Sequence, residues 1–223
     1  MYILAINTAC SLTSIALFKR DGNKISLIAE KSWQAKNNEA EKLMPEISGM
    51  LGNAKLQFAH ITEVFVIKGP GSFTGLRVGV TVANTLAYLN QGTSAEVPKC
   101  KLFAINTFEY LHYLSTFPVL LFAGSGGVYL SIKNKKPVLI NLHELNDILK
   151  KEKIKNVCGD ITAEQKAIIS DVKFINSKKT FGQIMSEVLS LKHESLKIVE
   201  PLYIKEPGIT QSKNALHSFN TNR

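Results

Sequence analysis

The chain has 223 residues, 45% apolar and 20% charged, which suits one large folded domain or two small ones and excludes a disordered chain. No run approaches the roughly 20 apolar residues of a membrane-spanning helix, and the opening MYILAINTAC lacks the basic stretch of a secretory signal. Net charge is +9, from 27 Lys and Arg against 18 Asp and Glu, with residues 1–120 contributing +3 and residues 121–223 contributing +6. Such a balance can attract nucleic acid through phosphate contacts or form a solvated lysine face; no arginine–aromatic RNA signature accompanies it. Cys10, Cys100 and Cys158 are odd in number, far apart and without a CxxC motif, so neither a disulfide framework nor a zinc site is expected, and the cytoplasm is the simplest compartment.

The segment YILAINTA reads as a buried strand ending at Asn7-Thr8. LTSIALFKR and KISLIAEKSW read as two further strands joined by a hairpin turn at Asp21-Gly22-Asn23. NNEAEKLMPEISGMLGNAKL changes period: Leu43, Ile47, Met50 and Leu51 recur at helical spacing, and Gly52-Asn53 is a stop. Pro45 fits that helix only in its first turn or at a tolerated bend. VFVI is a short buried strand, followed by a Gly/Pro turn from Lys68 to Ser72 and a helix from Phe73 to Leu89. That helix has no polar face. Val78, Val82 and Leu89 form one row, and Gly75, Gly79, Ala83 and Ala87 form another at four-residue spacing. A helix apolar all round is buried on both sides, and a row of small residues lets another backbone approach closely. The chain's own sheet can fill that row; the expectation is that a partner helix covers one of the two faces.

Beyond residue 100 the signals are weaker. FEYLHYL reads as helix, PVLLFAG as strand, and GGVYLSIKNKKPVLI as a hairpin turning at Asn134-Lys135. HELNDILKKE and TFGQIMSEVLSLKH read as helices, NVCGD closes a strand, and PLYIKEPGITQSKN is irregular before a polar tail.

The chemistry these residues offer is limited. The turn Gly69-Pro70-Gly71-Ser72-Phe73-Thr74-Gly75 lies between strand and helix, the usual place for a phosphate cradle. It continues as Gly75-Leu76-Arg77 where a P-loop needs GK[ST], and its third glycine is one residue late for GxGxxG. Gly69, Gly71, Ser72 and Arg77 remain a candidate anion or nucleotide site, with close packing as the alternative. No metal site is expected, because His60, His112, His143, His193 and His217 include no pair four residues apart. Cys10 and Ser72 have no local base, so no nucleophile and no catalytic residue is assigned.

At GPGSFTGLRVGVTVANTLA the sequence closely resembles the signature of the TsaB (YeaZ) family. MYILAINTA resembles that family's MxILAIDTA, EKLMPEISGML its first helix, and PLYIKEP its late P-x-Y-L-R segment. The resemblance is specific over residues 1–110 and looser afterwards. It implies an α/β, actin-like and Hsp70-like ATPase (ASKHA) fold with two related lobes, each a mixed sheet with flanking helices. Residues 1–101 would form the first lobe, 102–205 a divergent second lobe, and 206–223 would return to the first.

The resemblance further implies a non-catalytic subunit in synthesis of threonylcarbamoyladenosine beside the tRNA anticodon. The partner would be a TsaD-like transferase, held through a four-helix bundle whose surface also supports a homodimer, with a TsaE-like ATPase joining. ATP or ADP and metal would belong to the TsaD and TsaE partners, and tRNA would be reached through the complex. Carried over by position, the interface would use Leu43, Ile47 and Leu51 with Gly75, Gly79, Ala83 and Ala87, and Gly79→Leu or Ala83→Arg would block it without unfolding the chain. Several positions depart from the family pattern. Asn7 replaces its Asp, NNEAEKL lacks its His, and Phe122–Tyr129 replaces DAR-x-GEVY without its acid or arginine. These losses weaken a second reading, a nucleotide hydrolase using the Gly69–Gly75 turn, and the missing histidine pair argues against a glycoprotease-like peptidase. If the basic second half touches tRNA, Lys150, Lys151, Lys153 and Lys155 are the residues expected to do so.

Overall fold

The computed structural model describes residues 1–34, 38–89, 99–124 and 126–204. The first sheet begins as the expected antiparallel meander of β1 (Tyr2–Asn7), β2 (Leu12–Asp21) and β3 (Lys24–Gln34). Gly22 makes the hairpin between β2 and β3 at φ +58°, a conformation open to glycine. β4 (Ile61–Ile67) and β5 (Lys101–Ile105) then add in parallel, giving the order β3-β2-β1-β4-β5.

Strand alternation splits the apolar residues between two faces. Leu4, Ile6, Ile15, Leu17, Val64 and Val66 point to one side, where α1 (Glu39–Asn53) and α2 (Phe73–Leu89) cover them. Ile3, Ala5, Ala16, Phe18, Phe65 and Ile67 point to the other, against α3 (Thr107–Leu114) and α6 (Phe181–Leu189). Each fully buried Ile or Leu contributes roughly 1.5–3 kcal/mol relative to exposure, so both faces must be covered for this sheet to be stable.

The second sheet repeats the plan. β6 (Val119–Phe122), β7 (Gly127–Ser131) and β8 (Val138–Asn141) form the meander, and β9 (Asn156–Asp160) and β10 (Lys173–Phe174) add in parallel, giving β10-β9-β6-β7-β8. Leu120, Val128, Leu130, Ile140 and Val157 pack with Leu145 and Leu149 of α4 (Leu142–Lys151). Val119, Leu121, Tyr129 and Cys158 face the opposite way and join the cluster that holds α3 and α6. One continuous core therefore links the lobes.

Several elements differ from the sequence reading. β5, α5 (Ala163–Ile168) and β10 were not anticipated. β5 belongs to the first sheet, so the boundary expected at residue 101 falls at the start of a first-lobe strand and the sheet continues to Ile105. α6 also lies on the first sheet, against β3 and β2. Pro45 sits in the second turn of α1 rather than the first, on its exposed side. The chain returns to the first lobe through residues 196–202: Leu196 N–H donates to Leu102 O at 2.8 Å, and Leu202 N–H donates to Lys68 O at 2.6 Å. The return expected of 206–223 lies outside the described residues.

Candidate functional site: the interlobe cleft and the α1–α2 face

The turn between β1 and β2 contributes Ala9 and Ser11 to the wall of the cleft. Asn7 is 1% exposed, and its Oδ1 accepts from Ala9 N–H at 3.0 Å. The amide therefore shapes the turn. The glycine loop is clamped onto this turn. Ser72 N–H donates to Ala9 O at 2.8 Å, and a methyl group placed on Gly71 would lie 2.1 Å from the same oxygen. Gly69 has φ +110°, and its carbonyl accepts from Thr107 N–H at 2.8 Å. Ser72 Oγ accepts from Gly75 N–H at 3.2 Å, capping the start of α2.

The four candidate anion-binding residues thus have other work. Gly69 and Gly71 permit close backbone approach, Ser72 caps a helix, and Arg77 is exposed with its guanidinium stacked on the Phe73 ring, 4.4 Å from the centroid. Of the four, Gly71 and Ser72 line the interlobe cleft, while Gly69 and Arg77 are not among its lining residues. Of the loop's hydrogen bonds, that of Ser72 N–H reaches the β1–β2 turn, that of the Gly69 carbonyl reaches the start of α3, and that of Gly75 N–H stays within the loop.

Asp160, at the end of β9, was missed by the sequence reading. Its carboxylate accepts from Ser11 N–H at 2.6 Å and from the Ser11 hydroxyl. The second lobe thereby occupies both donors of Ser11, which lines the cleft. A visible signal was Gly159 just before it, which adopts φ +127° where a methyl group would lie 2.0 Å from Leu120 O. The cleft itself is about 530 Å³. It is lined mainly by apolar groups, among them Pro70, Phe73, Phe122, Tyr129, Leu202 and Tyr203.

None of the three thiols is activated as a nucleophile. Burial pushes the Cys10 thiol well above its ordinary range, and Asp160 adds to the shift. Burial, with Glu63 adding, pushes Cys100 up to about 11, and burial raises Cys158. A thiol so raised is protonated near neutral pH and unreactive. Among the described residues no three His, Cys, Asp or Glu side chains gather as a metal-binding group.

The helix layer carries a correction. Leu43, Ile47, Leu51, Ala83 and Ala87 are all buried in the first-lobe core, and Gly75 and Gly79 are buried too. The small-residue row packs on the chain itself. Methyl groups on Gly75 and Gly79 would each lie 2.1 Å from Thr8, from its carbonyl oxygen and its Oγ1 respectively. The outward side is instead Thr81, Thr85, Tyr88 and Leu89, with Val78 and Val82 at its edge and packed in part against the same core. Val78 and Val82 are half-buried, Thr81 and Thr85 are exposed, and Tyr88 and Leu89 are 73% and 69% exposed. Met44 on α1 adds an apolar side chain at 38% exposure.

Residues 33–168 match the family model described as TsaD: tRNA N6-adenosine threonylcarbamoyltransferase. A Bacillus subtilis (strain 168) protein described as "tRNA threonylcarbamoyladenosine biosynthesis protein TsaB" is 32% identical over 145 residues, covering 63% of this chain but only 58% of that relative's length. Its namesake from Buchnera aphidicola subsp. Baizongia pistaciae is 26% identical over 228 residues, covering 92% and 98% of the two chains. The solved structure of YeaZ from Pseudomonas aeruginosa superposes with TM-score 0.62 at 14% identity, over 91% of this chain and 99% of that one. The fold is accordingly the two-lobed, actin-like and Hsp70-like ATPase (ASKHA) architecture. With its motifs, its doubled sheet and these relatives in agreement, the chain belongs to the TsaB (YeaZ) family, within the wider group that the TsaD model matches.

Proposed function

We propose that this chain is a non-catalytic subunit in tRNA threonylcarbamoyladenosine biosynthesis in the cytoplasm, and that it docks a TsaD-like transferase on the outward face of α1 and α2. The observation that carries this reading is the exposed Tyr88 and Leu89, flanked by half-buried Val78 and Val82, on a helix whose other face is already filled by the chain's own core. Burying exposed Val and Leu side chains against a partner helix pair supplies roughly 1.5–3 kcal/mol for a fully exposed residue and less for a half-buried one, offset by association costs. A four-helix bundle is the arrangement that buries both helices' outward sides at once. The same surface serves a homodimer, so a second copy and the transferase compete for it. A TsaE-like ATPase joins the pair, and nucleotide and metal reside in those partners.

A non-catalytic role is supported by the amide at Asn7, the hydrogen bonds that tie the glycine loop to the β1–β2 turn and to α3, and the engagement of Asp160 by Ser11. The test is co-expression with the cognate transferase, followed by size-exclusion chromatography with light scattering. The wild-type chain should give a heterodimer, and Leu89→Arg, at an exposed position, should abolish it while melting within a degree or two of wild type. A Leu89→Arg chain that still co-purifies refutes this face as the docking site. Tight ATP binding and turnover by the isolated chain would refute the non-catalytic role.

A further inference from the structure

Eight lysines of the second lobe gather at one end. Lys133, Lys135 and Lys136 lie on the turn between β7 and β8, and Lys150 and Lys151 close α4. Lys153 and Lys155 follow on the connection into β9, and Lys173 opens β10. The strand registers bring these segments together. Val119, at the start of β6, pairs with Ser131 at the end of β7 and with Cys158 of β9, while Asn156 at the start of β9 pairs with Lys173. Two contacts lie between these segments: Lys135 Nζ is 3.6 Å from Glu152 in an exposed ion pair, and Lys173 N–H donates to Lys155 O at 2.9 Å. The cleft opens at the opposite end of the sheet, beside Phe122 and Asp160.

Segments 133–136, 150–155 and 171–173 together hold eight lysines, all exposed, against Glu152 and Asp171. The C-terminus of α4 favours Lys150 and Lys151 through its dipole, but gives no reason for the other six. Like charges within a Debye length of about 8–10 Å repel and lower stability, so the concentration opposes folding unless an anion covers it. Arginine is absent from these segments. Lysine presents a point charge rather than a planar fork, which suits phosphate contacts made without reading bases.

We propose that this lysine-rich end of the second lobe is a docking surface for the phosphate backbone of a folded RNA, with tRNA as its natural occupant. The identity of the RNA rests on the function proposed above; the surface rests on the charge and the registers. It lies away from the α1–α2 face, so one chain can hold its partner and an RNA at the same time.

The test is fluorescence anisotropy with an unmodified tRNA transcript across a KCl titration, on the full chain alone and with its transferase. The variant carries Lys133→Gln, Lys136→Gln, Lys153→Gln and Lys155→Gln. A control removes equal charge from the first lobe with Lys19→Gln, Lys24→Gln, Lys55→Gln and Lys99→Gln. Removing four phosphate contacts should lower the slope of log affinity against log salt by about 3, and the control should change it far less. An unchanged slope, or equal changes in both variants, overturns the proposal. So does capture by phosphatidylserine vesicles without capture of tRNA, which would make the surface a membrane contact. If wild type forms the heterodimer and supports modification while the lysine variant keeps its slope, the surface alone is wrong. If wild type does neither, the functional reading fails, and the slope measured on the isolated chain still decides the surface.

Discussion

Three glycines in the α1–α2 layer make the packing assignment quantitative. Gly49, Gly75 and Gly79 all lie in helices, so replacing each by Ala yields about the same conformational gain, 0.5–1 kcal/mol. Only the space around them differs. At Gly49 a methyl group meets nothing within 4 Å, so Gly49→Ala should gain the full amount and raise Tm by roughly 1–4 °C for a chain of this size. At Gly79 the methyl would lie 2.1 Å from Thr8 Oγ1 and 3.2 Å from Thr8 Cβ and Cγ2. The hydroxyl can rotate, but the rest of the side chain stays close, and overpacking of about 1–2 kcal/mol cancels or slightly exceeds the gain. At Gly75 the obstacle is the Thr8 carbonyl oxygen at 2.1 Å. Backbone in a buried turn cannot rotate away, so a displacement above about 1 Å is required, and Gly75→Ala should cost about 2 kcal/mol or more. The expected order of thermal stability is therefore Gly49→Ala above wild type, Gly79→Ala at or below it, and Gly75→Ala lowest, read by calorimetry on the isolated chain. A Gly75→Ala protein as stable as wild type would refute the reasoning and return the small-residue row to a partner. By the same logic Gly79→Leu and Ala83→Arg should unfold the monomer rather than selectively block a complex.

Asp160→Asn should lower stability by about 1–2 kcal/mol, because the amide loses charge-assisted bonds from Ser11 N–H and Oγ; urea unfolding of the variant and of Ser11→Ala should show similar losses, and additive losses in the double variant would refute a shared contact. Stability should fall as pH rises above about 8.5, where an unfolded thiol ionises, since Cys10, Cys100 and Cys158 all have raised pKa values in the folded chain. The folded state then binds more protons than the unfolded state, so the contribution is complete below that pH and is lost up to about 11 for Cys100. A Tm that holds constant from pH 7 to 10.5 would contradict this. Slow alkylation of all three thiols at pH 8, accelerated by urea, is the companion observation.

Much of the first lobe was legible because local signals and tertiary needs coincide there. The turn Asp21-Gly22-Asn23 fixes one hairpin, and the apolar run of α2 gives that helix its bounds of Phe73 and Leu89. The missed elements are those whose structure depends on neighbours. β10 is only two residues long and exists because β9 lies beside it. β5 is short and takes its partner from β4. α5 did have a readable start, since Thr162 and Gln165 form a capping box. The candidate site was less legible: Asp160 and Ser11 are far apart in the chain, and no spacing rule links them.

The sequence by itself determined that α2 has two apolar rows, because helical periodicity is a local property. It could not determine which row faces inward. That was decided by the β1–β2 turn, which places Thr8 against Gly75 and Gly79 and leaves Tyr88 and Leu89 exposed, with Val78 and Val82 half-buried beside them. The lysines of residues 133–173 were equally visible as composition. Only the parallel pairing of β6, β9 and β10, with the antiparallel return of β7, collected them at one end of the lobe. Faces, partners and charge concentrations are relations between segments, and such relations are set when the sheet chooses its register.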